Sequence, residues 1–72
     1  MLLRKARCES GLRPGAVGFG IHKGLFQFRD TPGSSTWATT PYARRDPFSA
    51  KWNSLAAAWM HKVGRGSEWA CR

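Results

Sequence analysis

Aliphatic side chains are scarce in this chain. Its 72 residues include five Leu, one Ile and two Val, which with four Phe make only twelve large apolar residues. Carboxylates are scarcer still: Glu9, Asp30, Asp46 and Glu68 face eight Arg and four Lys, for a formal net charge of +8. Little aliphatic core beside much uncompensated charge is the composition of chains that stay disordered alone. A domain of this size gains at best ~3–5 kcal/mol from one core. The sequence therefore predicts a small, mostly irregular or extended chain with little independent core, ordered by a larger partner.

Close cysteine pairs are also missing. Cys8 and Cys71 stand near opposite ends. That excludes a disulfide-dense scaffold and favours two free thiols. With His22 and His61 they form four scattered singles, without the paired spacing of a zinc site. No metal is expected. The same scatter, with so few acids to orient a base, argues against a Cys–His nucleophile pair and against an enzyme. Gly18-x-Gly20-x-x-x-Gly24 is one residue too long for a dinucleotide loop and opens no helical pattern, so no cofactor is expected. The longest largely apolar run, Leu55 to Met60, is far short of the ~20 residues that span a bilayer. No transmembrane segment and no secretory leader is expected. The opening Met1-Leu2-Leu3-Arg4-Lys5-Ala6-Arg7 interleaves apolar and basic residues in the manner of a mitochondrial presequence, so a mitochondrial location is expected.

Four Trp are present, and a freely solvated tail has little use for them. Residues 1–15 read as a basic N-terminal arm closed by Pro14-Gly15. Residues 16–29 alternate: Val17, Phe19 and Ile21 share one side of a strand, and a turn at His22-Lys23-Gly24 leads to a second strand over 25–29. That predicts a short β-hairpin or an extended segment. Residues 30–46 read as irregular linker, with Pro32-Gly33 at the centre of a type II turn.

Residues 47–63 predict one amphipathic α-helix, with Asp46 as N-cap, Pro47 in the first turn and Gly64 as the stop. Phe48, Trp52, Leu55, Trp59 and Val63 recur at spacings of 4, 3, 4 and 4, a single helical stripe. The tail, 64–72, reads as coil.

The stripe is the candidate partner-binding face, with Trp37 and Tyr42 as further anchors in the linker. Arg4, Lys5, Arg7, Arg44 and Arg45 are the candidate contacts to phosphates or acidic surfaces. These residues point to a non-catalytic accessory subunit. It would strap neighbouring protein subunits in a large assembly, a mitochondrial respiratory-chain complex, with anionic lipid headgroups as a further partner. The competing reading is a small ribosomal protein that neutralises rRNA phosphates.

Overall fold

The computed structural model describes residues 2–69. Helix α1 (Leu2–Ser10) leads into a meander of four short antiparallel strands: β1 (Val17–Gly18), β2 (His22–Lys23), β3 (Phe28–Thr31) and β4 (Ser34–Ser35). A 3-10 turn at Trp37–Thr39 follows, then helix α2 (Ala50–Lys62) and a second 3-10 turn at Gly66–Glu68.

The expectation of a mostly irregular chain with little core is overturned. The radius of gyration is 10.6 Å, against about 11 Å for a folded domain of this length. Aromatic volume replaces the missing aliphatics. Phe26, Phe28, Trp37 and Trp69 are buried with Ala6, Ala56, Ala57 and Met60. Phe28 sits at the centre, edge-on to Trp37 (centroids 5.2 Å) and to Trp69 (5.6 Å). Burying one Phe or Met side chain contributes about 1.5–3 kcal/mol, and edge-to-face ring pairs add about 0.5–1.5 kcal/mol each. A count of Leu, Ile and Val misses that contribution.

Each segment is more ordered than its composition suggests. The basic arm forms α1, nine residues long, which would be marginal alone. Docking stabilises it: Lys5, Ala6 and Ser10 are buried. Ser10 Oγ donates back to Ala6 O, and Gly11 in the left-handed region (φ 64°) ends the helix. Cys8 is disulfide-bonded, which corrects the expectation of free thiols. Cys71, the other cysteine, lies outside the described residues, as does the end of the tail.

The hairpin is present, but its turn is shifted. Chain reversal occurs at Phe19-Gly20, where Ile21 N donates to Gly18 O and both central residues have positive φ (55° and 73°). Positive φ at both residues is the type I′ pattern, and three residues, Phe19 to Ile21, lie between the paired Gly18 and His22. Val17 then pairs with Lys23, and Lys23 pairs with Phe28. The anticipated turn at His22-Lys23-Gly24 is instead strand β2 followed by a second loop. Residues 30–46, read as linker, carry β4 and the buried Trp37. Pro32-Gly33 joins β3 to β4, with Gly33 at φ 78°.

Helix α2 starts three residues later than the sequence suggests. Ser49 is the N-cap, its Oγ accepting from Trp52 N. Asp46 instead accepts from Phe48 N in the approach to the helix. At the other end Gly64 (φ 80°) stops it, and Arg65 N closes on Met60 O. The buried face of α2 is Asn53, Ala56, Ala57 and Met60, not the aromatic stripe. Two adjacent alanines let α2 pack closely on the core, and Trp52 and Trp59 lie against that core from its edge.

Candidate functional site

Because α2 buries its small residues, the Phe48/Trp52/Leu55/Trp59/Val63 stripe lies toward the outside of the domain. Leu55 and Val63 are 40% and 47% exposed. Phe48, Trp52 and Trp59 are half-buried. The two indoles pack their inner edges against the core and leave apolar surface beside two aliphatic residues.

Cations cover the rings. The Arg45 guanidinium lies 4.6 Å from the Trp52 centroid and the Lys51 ammonium 4.7 Å from it. Tyr42 tilts against the same indole at 5.8 Å. Arg65 reaches Trp59 at 5.8 Å. Each cation–π contact is worth about 0.5–1 kcal/mol at an exposed site. Together they fix long side chains that would otherwise sample many rotamers. Arg65 also donates from Nη1 to Thr39 Oγ1 (3.0 Å) and forms a two-pronged ion pair with Glu68. That hydrogen-bonded pair holds the Glu68 carboxyl below its usual range and raises Arg65. Lys62, in the last turn of α2, is exposed.

The other residues singled out from sequence fall in three places. Arg4 and Arg7 are exposed on α1, and Arg44 is exposed before α2. Trp37 is 2% exposed and belongs to the domain's own core, its Nε1 donating to Arg45 O. It therefore orders the segment carrying Arg45 and presents no surface to a partner. Lys5 is turned inward. Its ammonium lies 3.1 Å from His61 Nε2, donates to Gly66 O (3.0 Å) and sits 4.4 Å from the Trp69 centroid. His61 stacks on the same indole at 5.6 Å. Burial, and after it the Lys5 charge, pushes the His61 pKa down. A neutral imidazole with its Nε2 lone pair toward Lys5 is the state this cluster favours.

Sequence reasoning missed this Lys5–His61–Trp69 cluster. Its members are far apart in the chain and follow no periodic pattern. Arg65 was legible only as a basic residue past the helix stop. Among the described residues, no group of three His, Cys, Asp or Glu side chains could hold a metal ion, and no helix is long and apolar enough to cross a membrane. No protein-family model, curated protein or solved structure matches the chain.

Proposed function

We infer that the chain is a non-catalytic accessory subunit. It docks the outer face of α2 against an acidic protein surface in a larger assembly. The observation that carries this reading is the pairing of a half-exposed aromatic stripe with cations already resting on its rings. Indoles and arginines are the side chains that dominate binding energy when desolvated at the centre of an interface. Cations held by stacking lose less freedom when a carboxylate arrives, which lowers the cost of association. With a net charge of +8, acidic partners are also steered toward the chain at long range. A folded chain with a radius of gyration of 10.6 Å would join neighbouring subunits as a compact wedge.

The mitochondrial respiratory-chain placement rests on the opening residues, Leu2 to Arg7. The bonded state of Cys8 supports a compartment that keeps disulfides oxidised. The test is native electrophoresis of the tagged chain from its own cells. Wild type is compared with Leu55→Asp and Trp59→Ser. Both substitutions should free the chain from its complex, while its thermal melt stays cooperative. Wild type should stay bound at about 0.5 M salt, where charge-only contacts are screened. Release by ribonuclease, with a steep loss of binding on added salt, would replace this reading by the rRNA one.

A further inference from the structure

The first hairpin carries at its tip an aromatic ring that the domain does not cover. Phe19 lies in the reversal between the paired Gly18 and His22 and is 95% exposed. Its one ring contact among the described residues is edge-on to His22 at 6.4 Å. Its backbone is left-handed (φ 55°), a conformation that a Cβ opposes. Reversals of this kind are ordinarily filled by Gly, Asn or Asp. Neither the ring nor the conformation gains from packing within the domain.

Two more exposed apolar side chains stand close by. Val17 is 55% exposed in β1, two residues before Phe19. Val17 and Arg13 line a shallow hollow between the end of α1 and β1. Leu12, 41% exposed, separates Gly11 from Arg13, and both of those line the same hollow. Leu12 also has a positive φ (64°). Of the three described non-glycine residues with that backbone, two are therefore exposed apolar side chains around this hairpin.

Exposed arginines frame these residues. Arg13 lies on the hollow itself. Arg29 is exposed on β3, where it pairs across the sheet with His22, the neighbour of the Phe19 ring. Arg7 is exposed in the last turn of α1. Residues 2–29 hold a single carboxylate, Glu9, and it is half-buried. An apolar apex with arginines around its base matches the chemistry of an anionic bilayer, which offers phosphates at its surface and acyl chains just beneath.

We propose that the tip of the first hairpin seats the domain on an anionic lipid bilayer, with the Phe19 ring entering the acyl boundary and Arg13 and Arg29 meeting headgroup phosphates. The sequence expects headgroups as partners of its basic residues, and the structure adds the apolar apex that charge alone does not supply. A fluid bilayer closes around a projecting ring, whereas a protein would need a groove shaped to receive it. Leu12 and Val17 have no ring to stack on a base, which weighs against single-stranded RNA as the occupant.

The probe is vesicles of phosphatidylcholine with about one third phosphatidylglycerol, mixed with the full chain at about 0.15 M salt and separated by sedimentation. Partition onto them should exceed that onto pure phosphatidylcholine by roughly tenfold or more. Phe19→Gly, which suits the left-handed backbone and removes the ring, should weaken partition roughly tenfold, the effect of a partly buried Phe. Arg29→Gln should weaken it roughly fivefold, the contribution of one arginine near the surface. Thermal melts of both variants should stay cooperative. Spin-labelled lipid should broaden the amide signals of residues 17–20 most strongly. Equal binding to neutral vesicles, unchanged partition of Phe19→Gly, or broadening no stronger at 17–20 than elsewhere would each overturn the proposal. So would single-stranded RNA that displaces the chain from vesicles at equal phosphate and itself binds Phe19→Gly more weakly, which would give the tip to RNA. The docking of α2 on an acidic protein surface uses none of these residues and is read separately by native electrophoresis, so either reading can fail alone.

Discussion

Asn53 fills the space that a Cβ on Gly24 would need. A methyl placed there would overlap the Asn53 amide nitrogen and the Pro47 carbonyl oxygen. The contact joins α2 to the loop between β2 and β3. Asn53 is fully buried, yet every polar atom of its side chain is used. Oδ1 accepts from Phe26 N (2.8 Å), and Nδ2 donates to Pro47 O (2.7 Å) and Lys23 O (3.2 Å). Gly24 also has φ 83°, so a side chain is opposed there by conformation as well as by space.

Gly24→Ala should therefore destabilise the domain by about 3 kcal/mol, the left-handed cost plus overpacking. Asn53→Ala should cost about as much, because it leaves the Phe26 N–H buried without an acceptor. Urea melts of the full chain check both. A loss below about 1 kcal/mol for either substitution would contradict the close fit.

Phe19→Gly should act in the opposite direction. Removing the left-handed strain gains about 1–2 kcal/mol. The freer unfolded chain takes back about 0.4–1 kcal/mol. The midpoint should hold or rise slightly, an unusual outcome for deleting an aromatic ring. A clear fall would mean that the ring packs in the folded domain.

Stability should fall with acid in two stages. The His61 pKa is pushed down on folding, by burial and then by the Lys5 charge. The unfolded chain thus binds a proton that the folded one resists. Stability is complete above about pH 6.5 and declines as pH drops from there toward the lower folded value. His61→Gln should flatten that first stage. The second stage belongs to Asp30 and Glu68. Burial raises Asp30, but Ser35, Lys23 and the Lys23 charge together outweigh it, and Arg65 lowers Glu68. Their contributions persist above the ordinary carboxylate range and are lost as pH falls through the depressed values. Thermal midpoints between about pH 8 and pH 3 would show both stages.

Cys8→Ser should cost about 2–5 kcal/mol, the usual effect of removing a disulfide from a small domain. Reducing agent should produce the same shift in wild type and none in the variant. Identical melts of wild type with and without reductant would contradict the bonded state.

The periodic parts of this fold were legible in the sequence. The 4-3-4-4 spacing marks α2, Gly64 marks its stop, and Pro32-Gly33 marks a reversal. The core was not legible. Its four large rings come from the β2–β3 loop, β3, a 3-10 turn and the C-terminal segment, and none belongs to a repeating pattern. Trp69 lies in the tail that reads as coil, yet its indole donates to Phe26 O and contacts two Phe rings. The stripe on α2 was visible, but which face turns inward was not. Bulk argued for the indoles, whereas close packing favoured Ala56 and Ala57. Two of the three cations over the indoles were also hidden, because Arg45 and Arg65 reach α2 from outside its ends.

Helix α1 carries a consequence for maturation. Lys5 and Ala6 are part of the packed interior, and Cys8 is covalently tied. Trimming the first eight residues would leave the Trp69 indole without its ammonium neighbour, His61 without its donor and the disulfide unmade. A protease that treats this arginine-rich stretch as a disposable address would therefore compete with folding. Once α1 has docked, its backbone is sequestered in helix and the cut is closed off. Helix α1 is thus a part of the folded interior and not only a carrier of positive charge.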